Sequence, residues 1–228
     1  MNFNSIQKWI DSGMPFNSMT NGDCMDALLA MPDNYVDLVL ADPPYGIGVG
    51  VNGIVGVNKA APCKQYKPVK WDSAIPKKEY FEELFRVSKN QIIWGGNYFI
   101  EYLKNTSCMV VWDKDNSGNF ADCELAWTSF ATAVRKFKYR WNGMLQENMK
   151  QKEIRIHPVQ KPVALYRWLL QNYANKGDKI LDTHVGSGSS IIACIEEHFE
   201  YCGFELDADY HRDATARIEE MKAQGRMF

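Results

Sequence analysis

Short apolar runs alternate with longer amphipathic stretches along this chain. Runs of strand length occur at 18–21, 36–41, 91–94, 108–112, 125–128, 179–182 and 201–205. Between them, apolar residues recur at helical spacing over 24–31, 77–87, 98–104, 163–174, 189–197 and 209–223. Asp23 and Asp209 stand where helix N-caps belong, and Pro162 suits a first helical turn. This alternation predicts an α/β fold, a mostly parallel sheet covered by helices. Ligands of such sheets sit at the carboxyl ends of the strands, so the residues just after each strand are the first candidates for chemistry.

Two stretches break the pattern. Residues 46–71 open with closely spaced glycines, close with Lys59, Lys64, Lys67 and Lys70, and contain no acid. They are expected to form a long mobile loop, a length usually reserved for function or disorder. Residues 134–156 carry Arg135, Lys136, Lys138, Arg140, Lys150, Lys152 and Arg155 against only Glu147 and Glu153. Neither repeats nor low-complexity segments occur.

Composition narrows the class. The 228 residues suffice for one α/β domain, and 46% hydrophobic with 24% charged residues is an ordinary globular balance. No apolar run approaches the roughly 20 residues of a membrane span, so no membrane partner is expected. The start, MNFNSIQKWIDSG, lacks the basic and apolar regions of a signal peptide. The six cysteines are scattered without a C-x-x-C pair. This argues against a metal site or a disulfide framework and for a reducing cytoplasm. Net charge is −2, so any basic surface must be local.

Residues 179–207, KILDTHVGSGSSIIACIEEHFEYCGFELD, read as strand, glycine loop, helix, strand and acid. Gly186 and Gly188 permit a tight turn and a close approach to a ligand. The helix starting near Ser189 aims free N–H groups at a negative group. Glu205 ends the next strand, where it can accept from two ribose hydroxyls. A dinucleotide site would prefer a third small residue, where Ile191 stands instead. S-adenosylmethionine, with a carboxylate and an ammonium in place of phosphates, suits the shorter G-S-G better. Another nucleotide, or a purely structural turn, stays open. Asp23 can cap its helix, accept from a cofactor adenine amino group, or do both.

The strand at 36–41 ends in Asp42-Pro43-Pro44-Tyr45. Two prolines suffice to stop a strand, but they leave the acid and the aromatic unexplained. An exocyclic amine on a base is a poor nucleophile because its lone pair is delocalised into the ring. Accepting hydrogen bonds from its N–H groups in tetrahedral directions favours the pyramidal form that can attack a methyl group. The Asp42 carboxylate and the Pro43 carbonyl, held by restricted dihedrals, supply two such acceptors. Tyr45 would stack on a base swung out of its helix.

This motif resembles the catalytic D-P-P-Y of amino-group DNA methyltransferases. HPVQKPVALYRWLL at 157–170 looks like the segment preceding the cofactor motif in the permuted β class of that family, and DTHVGSGS at 182–189 is similar to its D-P-F-x-G-S-G loop. The order of Asp23, D-P-P-Y, H-P-x-Q-K-P, glycine loop and Glu205 is the β-class order. The resemblance implies a three-layer, circularly permuted Rossmann-like sheet of about seven strands in a single catalytic domain spanning 1–228. It implies that Asp182, Thr183, His184, Gly186, Ser187 and Gly188 line the donor pocket, with Lys161 near the donor's methionine end. His184 stands where the family usually has Phe, and it is assigned no proton transfer. D-P-P-Y leans towards adenine N6. The alternatives are an N4-cytosine enzyme, an RNA N6-adenine enzyme, and a nucleic-acid-binding module without catalysis. A homodimer is compatible with the family.

DNA contacts are expected from Lys64, Lys67 and Lys70 of the first basic stretch and from Arg135, Lys136, Lys138 and Arg140 of the second. RKFKYRW at 135–141 reads equally as cations interleaved with stacking aromatics or as a half-buried strand with one solvated face. The segment 134–156 is short for target recognition, so a short or relaxed target is expected. Gly95, Gly96 and Asn97 after the strand at 91–94 either serve a structural turn or flank the base.

Overall fold

The computed structural model describes residues 1–49, 71–116, 121–142 and 145–225, and all seven expected strands are present in it. In chain order the elements begin with β1 (Asn2–Phe3), α1 (Ile6–Asp11), β2 (Ser18–Asn21), α2 (Cys24–Ala30) and β3 (Val36–Ala41). They continue with α3 (Lys78–Val87), β4 (Ser88–Trp94), β5 (Met109–Asp113), β6 (Cys123–Thr128) and β7 (Arg135–Lys138). The rest are β8 (Trp141–Asn142), β9 (Leu145–Gln146), α4 (Val163–Tyr173), β10 (Lys179–Asp182), α5 (Ser189–Glu196), β11 (Glu200–Glu205) and α6 (Ala208–Gly225).

Nine of the described strands form one sheet, in the order β1-β2-β11-β10-β3-β4-β6-β5-β7. The seven expected strands are its centre. β1 adds two residues beside β2, and β7 adds four beside β5, each in parallel. Two residues carry no periodicity, so β1 had no signal to read. β6 alone runs antiparallel to its neighbours. β8 and β9 form a separate hairpin.

Strand side chains alternate between two cores, as the period of two requires. Leu38 and Leu40 join Leu165 and Leu169 of α4, Ile191 of α5 and Ile218 of α6. Val39 and Ala41 face the other side, with Trp9 of α1, Leu28 of α2 and Leu84 of α3. Burial on both faces explains why 36–41 reads as a nearly unbroken apolar run.

Three local expectations fail. Asp209 stands inside the first turn of α6, where Asp207 Oδ1 accepts from the N–H groups of Asp209 (2.8 Å) and Tyr210 (3.2 Å). Residues 98–104 do not form a helix; a 3-10 turn at Gly96–Tyr98 is followed by turns in which Phe99 O accepts from Tyr102 and Ile100 O from Leu103. Phe99 is buried against Phe81, ring centroids 5.2 Å apart, and that anchor pulls the chain down towards β5. Conversely, α1 was not expected. Its six residues bury only Ile6 and Trp9, too few to show a helical period, although Ser5 caps it.

The connections place the site. β10 lies beside β3, pairing Ile180 with Leu38 and Leu181 with Val39. From β3 the sheet proceeds to β4 on one side, and from β10 to β11 on the other. A crevice therefore opens at the carboxyl ends of these two strands, where the glycine loop and the D-P-P-Y tip stand side by side.

Candidate active site

Two cavities meet at that crevice. One, of about 620 Å³, is lined by the glycine loop, and the other, of about 610 Å³, by the D-P-P-Y tip. They share a wall made of Asp42, Pro44, Trp71, Val159 and Lys161.

On the glycine-loop side, Asp23, Thr183, His184, Gly186, Ser187 and Glu205 all line the cavity. Gly186 (φ +54°) turns the loop so that its N–H donates to Glu205 Oε2 at 2.8 Å. Glu205 Oε1 accepts from Asp207 N–H at 2.9 Å, so each carboxylate oxygen keeps a free lone pair. Burial, with the neighbouring Asp207 carboxylate adding to it, pushes its carboxyl up against those two hydrogen bonds. Asp23 caps α2 by accepting from Met25 N–H at 2.9 Å, and its side chain stays exposed to the cavity. Capping and ligand contact are thus compatible there.

Asp182 and Gly188 do not line the cavity, contrary to expectation. Asp182 Oδ1 accepts from His184 N–H at 2.8 Å and Oδ2 from the Ser190 hydroxyl, so both oxygens are spent fastening the loop to α5. Burial raises its carboxyl to about 7. Gly188 (φ +78°) precedes α5, and a Cβ there would lie 3.2 Å from Ile218 Cδ1. These motif positions build the loop that frames the cavity.

His157, Tyr210 and Asp207 complete this cavity and were missed; His157 was visible only as the first letter of a motif. His157 stacks on Trp71 at 5.4 Å and meets Tyr210 edge-on at 4.3 Å. Burial, with Lys161 adding to it, pushes His157 down to about 3. His184 lies beside Thr183 Oγ1 at 3.0 Å and the Tyr80 ring at 5.5 Å, and burial pushes it down to about 4. Both imidazoles are neutral at pH 7, as a packing role requires. Because its folded pKa lies below the ordinary 6.5, His184 costs nothing above pH 6.5 and destabilises the fold as pH drops towards 4. His184→Phe should therefore recover up to about 3 kcal/mol of stability at pH 4 relative to pH 7. Urea unfolding at the two pH values measures it, and an unchanged pH dependence would contradict the assignment.

On the D-P-P-Y side, Asp42 Oδ1 accepts from Tyr45 Oη at 2.8 Å and Oδ2 from Lys161 Nζ at 2.6 Å. Lys161, expected near the donor's methionine end, does line the glycine-loop cavity. Its ammonium, however, is committed to Asp42, to Glu124 at 3.0 Å and to Tyr45 Oη at 3.2 Å. Burial disfavours the ammonium, but Asp42 and Glu124 outweigh it and hold Lys161 above the ordinary lysine range.

The tip itself is clamped. Asp72 Oδ1 accepts from the N–H groups of Tyr45 (2.7 Å) and Gly46 (2.8 Å), and Oδ2 from Val49 (2.8 Å). No periodicity marked Asp72, because its role lies in one buried carboxylate meeting a distant loop. Tyr45 is backed by Tyr98 at 5.0 Å and 16°, and by the turn at Gly95. Gly95 has φ +70°, and a Cβ there would lie 2.3 Å from Tyr45 Cε1. The structural use of this glycine is therefore to seat the tyrosine. Gly95→Ala should cost about 1–3 kcal/mol and displace Tyr45 from Asp42. Thermal melting checks the first effect; an unchanged melting temperature would show that the turn tolerates the methyl group.

The basic residues fall in two places. Lys64, Lys67 and Lys70 lie outside the described residues. Arg135, Lys136, Lys138 and Arg140 lie in and just after β7, and all four are exposed. Lys136 pairs with Asp113 at 3.4 Å, and Asp115 holds Lys138 at 2.8 Å and Arg140 at 2.5 Å. The aromatics of this stretch turn inward: Phe137 packs on Trp168 at 5.4 Å, and Trp141 Nε1 donates to Gln160 O at 2.7 Å. The single half-buried strand expected over 135–141 is split, since β7 ends at Lys138 and Trp141 opens β8; Phe137 and Trp141 are spent on packing and leave the cations outside. Among the described residues, no helix is long and apolar enough to cross a membrane.

Residues 93–216, more than half of the sequence, match a family described as DNA methylase. The chain belongs to the DNA methylase family. YubD of Escherichia coli (strain K12) is 25% identical over 218 residues, covering 86% of this chain and 88% of its own length. The DNA adenine methyltransferase YhdJ of the same organism is 23% identical over 260 residues, covering 91% and 84%. Among solved structures, PvuII DNA methyltransferase (cytosine-N4-specific) superposes with a TM-score of 0.58 at 14% identity, covering 97% of this chain and 92% of that one. The M1.HpyAVI–SAM complex gives 0.53 at 18% identity, covering 87% and 98%. The sheet of this DNA methylase is thus the Rossmann-like sheet of known methyltransferases.

Proposed function

We propose that the protein transfers a methyl group from S-adenosylmethionine to the exocyclic N6 of a flipped-out adenine in DNA. The observation that carries this reading is the shared wall: two cavities meet at Asp42, one beside the glycine loop and the other beside Tyr45. A donor and a base held on either side of that wall can be brought into line without a covalent enzyme intermediate.

The residues fit the donor. Glu205 retains acceptor capacity for ribose hydroxyls, Asp23 presents an exposed carboxylate for an adenine amino group, and Thr183 and Ser187 offer hydroxyls. Ile191 is buried against Gly203, which leaves no small residue where a pyrophosphate would need one. When bound, S-adenosylmethionine supplies an electrophilic methyl group on a sulfonium. Asp42 and the Pro43 carbonyl accept from the target amine and favour its pyramidal form, and Tyr45 stacks on the base. Lys136, Lys138 and Arg140 exchange Asp113 and Asp115 for phosphates, an exchange that costs little because pairs at the surface are weak, and Arg135 contacts phosphate beside them. Residues 134–156 act as a small target-recognition insertion in a single catalytic domain, and the motif order is that of a circularly permuted methyltransferase.

Adenine is favoured over cytosine by D-P-P-Y and by the name of YhdJ. Nucleoside mass spectrometry of DNA from cells expressing the protein tests the choice. N6-methyladenine is expected; N4-methylcytosine, or methyl transfer to RNA alone, would overturn it. Methylation mapping should reveal a short or relaxed target, and a site of six or more defined base pairs would contradict that.

A further inference from the structure

Glu124 of β6 lines the same cavity as Asp42, although the sheet places β6 two strands from β3. Nothing in the methyl-transfer scheme above uses it. Its carboxylate nevertheless faces Lys161 Nζ at 3.0 Å, and Lys114 on its other oxygen. Lys161 is 4% exposed; its ammonium donates to Asp42 and to Tyr45 Oη and forms an ion pair with Glu124. Tyr45 Oη in turn donates to Asp42, which closes a ring of hydrogen bonds around the D-P-P-Y carboxylate. Four charges are thus collected in one site, two of each sign.

Stability gives a weak reason for such a cluster, since apolar groups of similar volume commonly do as well. Function gives a better one. A lysine facing Asp42 alone would saturate that carboxylate and compete with an arriving amine. A second carboxylate on the far side of the ammonium divides its attraction. Burial opposes the Glu124 carboxylate, but Lys161 and Lys114 outweigh it and hold it down at about 2. The ammonium lies closer to Asp42 (2.6 Å) than to Glu124 (3.0 Å), so Glu124 acts on it through its charge, from the side away from Asp42.

We propose that Glu124 is a positioning residue for methyl transfer: acting through Lys161, it restrains the ammonium so that Asp42 keeps acceptor capacity for the incoming amino group. This rests on the role given to Asp42 under the proposed function. The groups facing Asp42 are Tyr45 on its own loop, Lys161 ahead of α4 and Glu124 of β6; Tyr166 of α4, Tyr80 of α3 and Asp182 of β10 stand further out. Burial raises the Asp42 carboxyl, Lys161 lowers it and Glu124 raises it, for a net upward displacement.

The two partners must then act with opposite sign. Removing the lysine charge in Lys161→Met should move the acid limb of transfer to higher pH by about one unit or more. Removing the carboxylate charge in Glu124→Gln should move it to lower pH. It should also reduce kcat by about tenfold, because the attraction of the ammonium then falls on Asp42 alone, with donor affinity unchanged. Lys161→Arg keeps the charge and should keep the limb near its original position. Single-turnover rates against pH at saturating donor give one readout. The second needs no catalysis: ¹³C NMR of labelled aspartate carboxyls, with the Asp42 signal identified by its loss in Asp42→Asn. Far-ultraviolet circular dichroism and thermal melting report whether each variant is folded. Opposed displacements in the two variants support the proposal; displacements of one sign, or none in Glu124→Gln, overturn it. Opposed NMR displacements in a protein that methylates no polymer would instead overturn the methyl-transfer reading, and the positioning role with it.

Discussion

Asp42→Ala is expected to lower methyl transfer by about a thousandfold while changing donor affinity by no more than a few-fold. The carboxylate is largely buried, bound on one oxygen by Tyr45 and on the other by Lys161, and stands at the wall between the two cavities. Its loss removes an acceptor that matters most as the amine becomes pyramidal, an interaction stronger in the transition state than in the ground state. It also leaves Lys161 with Glu124 as its one remaining carboxylate, and a nearby ammonium disfavours an amine that is gaining positive charge. The glycine loop is untouched, since Glu205, Gly186 and Asp207 fasten one another without Asp42. Methyl transfer to duplex DNA and calorimetric donor binding, measured on one preparation, check both halves. Retained activity would show that the acceptor is misassigned. A parallel loss of donor binding would show that the residue belongs to the other cavity.

Glu205→Ala is expected to weaken donor binding by about a hundredfold and to spare much of kcat at saturating donor. Hydrogen bonds to a charged acceptor contribute about 1.5–3 kcal/mol each, and this carboxylate has one free lone pair per oxygen for two ribose hydroxyls. The substitution also releases Gly186 N–H and Asp207 N–H, so the loop loses the brace that sets its turn. Glu205→Gln separates the two effects. It retains an amide oxygen for one brace but removes the charge, and it should fall between wild type and Ala. Unchanged donor affinity in Glu205→Ala would remove the residue from the pocket.

These two residues were legible in the sequence because each ends a strand that announces itself. β3 and β11 are short apolar runs; Asp42 is the first residue after β3, and Glu205 is the last residue of β11. Local rules therefore reached Asp42, Tyr45, Gly186 and Glu205, along with the helices whose apolar faces span several turns. They failed where a signal was shorter than its own period, as in β1 and α1, and where one buried ring, Phe99, overrode helical spacing. They also placed Asp182 and Gly188 against the ligand when hydrogen bonding and packing turn both into the loop's supports.

The sequence by itself determined the seven central strands, most of the helices, the two motif-bearing tips and the alternation that places ligands at one edge of the sheet. Only the tertiary structure decided which side chains meet there. Lys161 reaches Asp42 across 119 positions of sequence, and Asp72 reaches the backbone of Tyr45 across 27. Periodicity encodes which face a residue takes within its own strand or helix, over a few residues. A buried ion pair between distant segments is fixed by strand order and register, which no local pattern carries.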